Sequence, residues 1–581
     1  MEIGANSYYI QWDDTSFLID AGGHPDAPGY LSLPDFYRIQ KLDFILVTHA
    51  HQDHIGSLPY LHKFFPDCPV YMTEETLSIA KIMLYDSLKF IRASRSVEGF
   101  MMYTRADVES LLISVHTVSN PFEKYGIKIT PYSSGHILGS VGFLIEKNGK
   151  KVVFTSDTSS EIKATSKNID LPEIRADLLI AESTYGRFAG SPSLPERNLQ
   201  YEELTQCVKK IIAKGGSVLF PAFVIERAQE ILLILNRAVQ NGEIPDVPIF
   251  LAGLAIPITE LHKKYLKLEF HYETISREEM EFLNSEEDGP YILITGSGMM
   301  NAGSSSSFHA EHLLTNPENA VIFTGYSAPG TAGFRLLQNQ SDRFYINGHI
   351  IPARAKMIQQ FHISCHAGGK ELVEIISHFQ PTNTILIHGD SGSVENLKSH
   401  LSSAGLENIF TPENNETVYF GSAVSTLGES VKERKKRFYQ CMESGDMYSC
   451  RKISLSILED SPWDIEMLEI LMKISEPSQR SYYERKLYLI LKLLCEKEML
   501  EGNLTLAEQY LSLMGELFEN RYIERNLLRI KKLKKKLALK SEGISKSAFY
   551  ETNQDYKYYR AGNRNNDFTQ KAVIGNSNQS E

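Results

Sequence analysis

The chain has 581 residues and a formal net charge of −12, with 42% hydrophobic and 23% charged residues. This length suggests roughly three or four domains, and the ordinary composition excludes a chain that is disordered throughout. The negative charge excludes nucleic-acid binding by an overall basic field, so any such contact requires a local basic patch or a bound metal ion.

The cysteine pattern and the absence of long apolar runs indicate the compartment. None of the six cysteines, at positions 68, 207, 365, 441, 450 and 495, belongs to a C-x-x-C pair. This pattern predicts free thiols in a reducing compartment, and the first residues lack the features of a signal peptide. No stretch approaches the ~18 apolar residues that a membrane span needs. We therefore expect a cytoplasmic protein without a membrane partner.

Residues 1–185 alternate short apolar runs with turn signals. A helical spacing of apolar residues appears at TEETLSIAKIMLYDSLKFI. Asn148-Gly149, within GFLIEKNGKKVVFTSD, is a strong two-residue turn signal and predicts a β-hairpin. The region is predicted to be a mixed α/β domain.

The stretch DFILVTHAHQDHIGSLPYL crowds ligand-type side chains behind an apolar run that predicts a buried strand. In extended backbone His49 and His51 point the same way, because side chains repeat every second residue. Two imidazoles on one side can bind one metal ion, and Asp53 with His54 can serve a second. Imidazole and carboxylate are typical zinc ligands and also suit other divalent ions. A polar loop with chance histidines is the alternative, which the crowding makes the weaker hypothesis.

The rest of the chain divides by pattern. Residues 186–345 alternate helices with short unbroken apolar runs, which is typical of parallel strands in a separate α/β lobe. Residues 346–425 return to the pattern of the first region. Residues 430–540 show helical spacing almost throughout, and residues 541–581 are polar and aperiodic, so we expect them to be disordered.

Several motifs resemble those of a known family. THAHQDHIGSLP resembles the H-x-H-x-D-H signature of the metallo-β-lactamase superfamily, and FLIDAGGHP, SSGHILGSVGF and VVFTSDTS resemble its other ligand-bearing segments. AESTYG, FHISCHAGGKEL and TILIHGD resemble motifs of the β-CASP subfamily. The resemblance covers roughly residues 1–425. It implies an αββα sandwich with an inserted α/β β-CASP lobe, followed here by a C-terminal helical extension.

The resemblance also implies a pair of zinc ions, for which manganese could substitute. One ion would be held by His49, His51 and His136, and the other by Asp53, His54 and His388, with Asp157 bridging them. Asp20 would take a supporting position behind the metals.

The resemblance implies endonucleolytic hydrolysis of RNA phosphodiester bonds. The attacking group would be a water molecule that the two metal ions activate. Asp53 would belong to this catalytic set, with His366 as proton donor to the leaving oxygen and Glu182 holding that imidazole in its charged form. RNA-acting members carry a histidine where this chain has His388, so single-stranded RNA is the expected substrate. A DNA nuclease of the same fold, and an inactive scaffold that recruits partners through the C-terminal helices, are the alternatives.

Contacts to substrate are predicted at Arg227, Arg335 and Ser364. The arginine fork suits phosphate oxygens, although an ion pair within the protein is an equal alternative. The chain also departs from the family pattern where an aspartate, a glycine and an arginine are usual. These positions are Gly368, Glu226 and Phe334. Because of these departures, the sequence does not decide which residues support the metal ligands or which residues contact the substrate.

Residues 430–540 match no family motif, and their apolar positions predict helices that pack together. Such helices commonly form a docking surface, so a protein partner is expected there, and a homodimer is a further option. The basic run RIKKLKKKLALK either contacts RNA phosphates or is a solvated helix face, and we favour the second interpretation.

Overall fold

The computed structural model describes the chain between residues 4 and 541 with gaps. Outside the described set lie residues 1–3, 25–31, 99–101, 191–195, 280–288, 421–430, 461–463, 476–479, 496–503, 518–520 and 542–581, and the scattered positions 35, 37, 38, 40, 277, 278, 329, 340, 356, 415, 481, 482, 485, 486, 489 and 493. The disorder predicted for residues 541–581 therefore falls, except for its first residue, outside the described part.

The regular elements follow in chain order. The strands are β1 (Tyr8–Trp12), β2 (Thr15–Ile19), β3 (Phe44–Leu46), β4 (Val70–Met72), β5 (Val115–Thr117), β6 (Phe122–Lys124), β7 (Ile127–Ser133), β8 (Val141–Lys147), β9 (Lys150–Phe154), β10 (Leu178–Glu182), β11 (Val218–Pro221), β12 (Ile249–Ala252), β13 (Glu273–Thr274), β14 (Ile292–Thr295), β15 (Ala320–Phe323), β16 (Arg343–Ile346), β17 (His349–Pro352), β18 (Met357–Gln360), β19 (Asn383–Ile387) and β20 (Ile409–Phe410). The helices are α1 (Gln52–Ile55), α2 (Leu58–His62), α3 (Glu74–Glu98), α4 (Arg105–Ile113), α5 (Arg197–Ile212), α6 (Arg227–Gln240), α7 (Ala255–Leu266), α8 (Ser305–Leu313), α9 (Ala332–Leu337), α10 (Gly369–His378), α11 (Ser391–Ser403), α12 (Val431–Ser444), α13 (Met447–Asp460), α14 (Ile465–Ile474), α15 (Leu504–Leu517) and α16 (Arg521–Ser541).

Two sheets pack face to face through one apolar core. The five-stranded sheet has the order β1-β2-β3-β4-β5, and the seven-stranded sheet has the order β20-β19-β10-β9-β8-β7-β6. Phe17 and Phe44 from the first sheet and Phe143 and Phe154 from the second are fully buried in the same cluster. Burying a side chain of this size contributes about 1.5–3 kcal/mol, so this layer is a major source of stability.

Helices cover the outer faces of both sheets. Leu18, which alternates with Phe17 along β2, points away from the sandwich core and packs with side chains of α3 and α4. On the second sheet Leu179 and Leu386 pack against α10 and α11. Strands buried on both faces carry unbroken apolar runs, as this sequence does. The result is the αββα arrangement that the resemblance implies.

The inserted lobe contains a six-stranded, wholly parallel sheet in the order β13-β12-β14-β11-β15-β18. Separate apolar clusters lie on its two faces, one with α5 and α6 and the other with α8 and α9. In the seven-stranded sheet β10 pairs in parallel with β19, although about 200 residues separate them. The chain thus leaves the sandwich after β10, forms this lobe, and returns at β19.

The predicted hairpin is also present. β8 and β9 pair antiparallel with Lys147 opposite Lys150, and both turn residues, Asn148 and Gly149, have positive φ values of 51° and 75°. A two-residue turn of this type matches the twist of the strands that it joins.

The chain divides into two compact units, residues 1–467 and 468–581. Helices α12 and α13 pack together in the first unit, and α15 packs on α16 in the second. The helical character predicted after residue 430 is therefore observed, while the domain boundaries remain predictions. Within the described residues, no helix combines the length and the apolar character that a membrane span requires.

Candidate metal centre

The predicted ligands lie in the segments that follow strands. His49 and His51 come directly after β3, α1 carries Asp53 and His54, His136 lies between β7 and β8, Asp157 follows β9, and His388 follows β19. Strands β9, β10 and β19 run parallel, so their carboxyl ends meet at one edge of the sheet. The structure brings all seven side chains together at this edge.

His49, His51, His136 and Asp157 form a first group whose ligand atoms all lie within 4.8 Å of one another. His51 Nδ1 is 3.1 Å from His49 Nε2 and 3.2 Å from His136 Nε2. Asp157 Oδ2 lies 3.6 Å from His49 Nε2 and 3.7 Å from His136 Nε2. Three imidazoles and one carboxylate are a donor set typical of a divalent cation such as zinc.

Asp53, His54 and His388 form a second group that meets the same distance criterion. Asp53 Oδ2 lies 3.6 Å from His54 Nε2 and 3.4 Å from His388 Nε2. The carboxylate of Asp157 contacts this group as well, with Oδ2 at 3.4 Å from His54 Nε2 and Oδ1 at 3.2 Å from His388 Nδ1. Asp157 therefore lies between the two groups, in the position that a bridging ligand would need.

Burial sets the protonation of the first group. Desolvation lowers the pKa of His49 and His136 well below the usual value and lowers the pKa of His51 to about 4. Burial alone would raise the pKa of Asp53, but the charge of His54 and the hydrogen bond from His388 outweigh it and lower the pKa to about 2. Neutral imidazole and ionised carboxylate are the forms that bind metals, so His49, His51, His136 and Asp53 fit the implied cations. Burial would lower the pKa of His54 and of His388, but the carboxylates of Asp157 and Asp53 outweigh it and raise both, so these two imidazoles must release a proton when a cation binds.

Asp20 orients the second group from behind. Its carboxylate accepts a hydrogen bond from His54 Nδ1 at 2.7 Å and another from the backbone N–H of Thr48 at 2.8 Å. This contact leaves His54 Nε2 facing Asp53, and such partners fix the tautomer and the direction of a metal-binding histidine. Asp20 itself has a left-handed backbone with φ of 61°, a conformation that non-glycine residues adopt at a cost of about 1–2 kcal/mol.

Glu182 and His366 form a pair beside the two groups. Glu182 Oε1 accepts hydrogen bonds from the backbone N–H and the hydroxyl of Thr158, while Thr184 donates to Oε2. His366 Nδ1 lies 3.2 Å from Glu182 Oε2. The Glu182 side chain is 1% exposed and the His366 side chain 21% exposed, so the carboxylate is fixed while the imidazole remains accessible.

The three predicted substrate contacts have different surroundings. Arg227 is buried, pairs with Glu230, and places Nη2 3.1 Å from Cys365 Sγ. Ser364 Oγ accepts from the backbone N–H of His366 at 3.1 Å. Arg335 lies on α9 in the inserted lobe, where its guanidinium donates to the carbonyl of Gly330 at 2.8 Å. The structure therefore brings Arg227 and Ser364 to the segment that carries His366, and their contact with substrate remains a prediction.

Sequence reasoning missed two residues next to the second group. Asn6 Nδ2 donates to Asp53 Oδ2 and lies 3.2 Å from both this oxygen and His54 Nε2. Tyr8 donates its hydroxyl hydrogen to Asn6 Oδ1 at 2.9 Å, which fixes the direction of the amide. Both residues lie more than 40 positions from Asp53 in the chain, so no local pattern could have found them.

Asn6 and Asp53 can approach each other because Gly22, which lies beside both, has no side chain. A Cβ atom at this position would lie 1.7 Å from the carbonyl oxygen of Asp53 and 2.8 Å from the backbone nitrogen of Asn6. The backbone N–H of Gly22 instead donates to the carbonyl of Asn6 at 2.8 Å. Only glycine fits where these three segments meet.

The fold and the cluster together define the class: a sandwich of two sheets, an inserted parallel lobe, and a histidine- and aspartate-rich centre at the strand ends. Three family models match in chain order, namely the metallo-beta-lactamase superfamily domain at residues 9–163, the Beta-Casp domain at 228–336 and the Zn-dependent metallo-hydrolase RNA specificity domain at 350–412. The chain therefore contains a metallo-β-lactamase domain and a β-CASP domain, as the resemblance implies. The predicted fold class is confirmed.

Similar proteins include several endonucleases by name. The chain is 30% identical over 434 residues to Endoribonuclease YSH1 of Eremothecium gossypii, covering 69% of this chain and 55% of the relative. It is 29% identical over 418 residues to Cleavage and polyadenylation specificity factor 73 of Drosophila melanogaster, covering 68% and 60%. The match to Endoribonuclease YSH1 of Saccharomyces cerevisiae is 30% over 456 residues, covering 71% and 57%. The chain thus spans little more than half the length of these relatives.

Among solved structures, a protein of unknown function from Enterococcus faecalis V583 aligns with 71% of this chain and 96% of its own, at a TM-score of 0.45 and 15% sequence identity. This likeness is too weak to inform the fold or the function.

Proposed function

We propose that the chain is a metal-dependent endoribonuclease that hydrolyses phosphodiester bonds of single-stranded RNA with two divalent cations, zinc or manganese. The observation that carries the proposal is the position of Asp157, whose carboxylate contacts both ligand groups within one buried cluster. The names of the relatives, which describe endoribonucleases, support the same activity.

Two cations in this centre would supply an acidified water and positive charge to stabilise the transition state. The protein would contribute the proton for the leaving oxygen. His366 is accessible, and its Nδ1 is engaged with Glu182, so Nε2 is the nitrogen that would face the substrate. Glu182, held by Thr158 and Thr184, would keep the imidazole in place for this role.

RNA is favoured over DNA by two observations. His388 lies among the second group of ligands, as expected for the members of the subfamily that act on RNA. The region that contains it matches a domain described as providing RNA specificity. An inactive scaffold is disfavoured because the seven predicted ligands are all present and converge.

The remaining proposals concern partners and location. Residues 430–540 offer helices that could bind a protein partner, and a homodimer remains an option. The cytoplasm remains the proposed compartment, which is supported by the six cysteines, none of which forms a disulfide bond.

The test replaces Asp53 and His54 with alanine and follows cleavage of a labelled single-stranded RNA by the full chain. We expect no cleavage by this double variant. The matched control is Glu311→Ala with His349→Ala, which removes another carboxylate–imidazole pair, 3.2 Å apart, in the inserted lobe. Unchanged cleavage by the Asp53 and His54 variant would refute the site, and preferential cleavage of a DNA of the same sequence would establish the DNA nuclease instead.

A further inference from the structure

Glu226, at the start of α6 in the inserted lobe, is an unusual residue for its position. Its backbone is left-handed, with φ of 74°, and its side chain is completely buried. Glycine adopts this backbone without strain, whereas glutamate does not. A buried carboxylate in a strained conformation requires partners that compensate for both costs.

These partners come from both lobes. Thr165 donates its hydroxyl hydrogen to Glu226 Oε1 at 2.5 Å, and Lys163 Nζ lies 3.9 Å from the same oxygen. Both residues belong to the loop after β9 of the sandwich. His262, on α7 of the inserted lobe, places Nε2 3.4 Å from Glu226 Oε2. Burial would raise the pKa of Glu226, but Lys163, His262 and Thr165 outweigh it and lower the pKa to about 2.

The same lysine contacts a metal ligand. Lys163 Nζ donates to the backbone carbonyl of His136 at 2.6 Å. The lysine side chain is only 1% exposed, and a buried charge without a counter-charge is strongly unfavourable. The ring of His136 is held separately, because Nδ1 donates to the carbonyl of Cys365 at 3.0 Å. The backbone of this ligand thus depends on Lys163, and Lys163 depends on Glu226.

We propose that Glu226 is a positioning residue that, through Lys163, holds the backbone of His136 in the geometry that binds the first metal ion. This contact also ties that metal to the inserted lobe, since Glu226 directly precedes α6 of that lobe and Lys163 belongs to the sandwich. The inference rests on the metal centre of the proposed function and does not depend on the RNA activity.

The experiment measures metal release from the full chain loaded with zinc. A chromogenic chelator is added to the wild type and to Glu226→Gln, and release of each of the two metals is followed over time, together with the melting temperature. We expect one of the two metals to leave the variant about 10–100 times faster, while the other leaves at the wild-type rate. Faster release of only one metal is expected when a single ligand loses its support. A general loosening of the fold would accelerate the release of both metals.

Glu161→Gln is the matched control. Glu161 is influenced electrostatically by Lys163, and it is partly exposed. We expect this variant to release both metals at wild-type rates.

Two further variants keep the test decisive if Glu226→Gln fails to fold. Glu226→Gly removes the carboxylate and relieves the backbone strain, and Lys163→Met removes the contact to His136; both should show the same selective release. Wild-type release of both metals, or equal acceleration of both, would overturn the proposal. If the wild-type chain binds two metal ions but cleaves no RNA, the proposed function is wrong. The comparison of metal release then still tests the role of Glu226.

Discussion

Replacing His366 with alanine should slow RNA cleavage by about 10²–10⁴-fold if this histidine protonates the leaving oxygen. The loss should depend on the leaving group. With bis(p-nitrophenyl) phosphate, whose leaving group needs no proton, the variant should retain nearly the full wild-type rate. The loss of rate on RNA divided by the loss of rate on the activated diester therefore distinguishes loss of proton donation from a general disturbance of the site.

The contact between His366 and Glu182 allows the loss of cleavage rate in Glu182→Gln to be estimated. The 3.2 Å hydrogen bond joins His366 to a fully buried carboxylate. A hydrogen bond to a charged group contributes about 1.5–3 kcal/mol and a neutral one about 0.5–1.5 kcal/mol. Glu182→Gln should therefore cost about 1–1.5 kcal/mol, which corresponds to roughly five- to tenfold in the rate of RNA cleavage.

The assay compares kcat for a labelled RNA and for the activated diester in each variant. His378→Ala is the control, because this histidine lies at the end of α10 and its Nε2 contacts the carbonyl of Pro172. Equal losses on both substrates in the His366 variant would refute its assignment as proton donor, and an RNA rate unchanged in Glu182→Gln would refute the role of the carboxylate.

Three further predictions concern the support of the centre. Gly22→Ala places a Cβ 1.7 Å from the carbonyl oxygen of Asp53, so we expect a loss of about 1–3 kcal/mol in the free energy of unfolding and fewer than two bound metals by elemental analysis; full metal content would contradict it. Asp20→Asn removes the charge that orients His54 and should weaken metal binding by about 10–100-fold in chelator competition, whereas wild-type affinity would show that the contact is dispensable. The pKa of Glu226 is lowered from 4.5 to about 2, so its ionised form stabilises the fold above pH 4.5 and this contribution, at most about 3 kcal/mol, is lost as the pH falls toward 2. Urea unfolding should show the advantage of the wild type over Glu226→Gln shrinking through that range, and a constant difference would refute the assignment.

The local part of the centre could be predicted from the sequence because it depends on neighbouring residues. His49 and His51 follow a buried strand, and the alternation of side chains places them on the same side. His388 is different, since it lies 335 residues from Asp53 and only the resemblance to a family connected the two positions. Parallel strand pairing, which brings β19 beside β10, is the physical cause of this convergence, and no local pattern encodes it.

The supporting contacts were the least predictable. Asn6 reaches Asp53 because the loop before β1 meets α1, and nothing in its own neighbourhood signals this role. For Arg227 the sequence left two roles open, phosphate binding by the guanidinium or an ion pair within the protein. The structure pairs Arg227 with Glu230, and its contact with substrate stays a prediction. Glu226 was visible only as a departure from a family pattern, and its meaning required the position of Lys163.

Whether two cations bind at the strand ends is tested most directly by a crystal structure of the full chain, purified with zinc, with anomalous data collected at the zinc absorption edge. We expect two anomalous peaks about 3.5–4 Å apart. One should lie among His49, His51 and His136 and the other among Asp53, His54 and His388, with Asp157 between them. A single peak, or peaks outside these two groups, would contradict it.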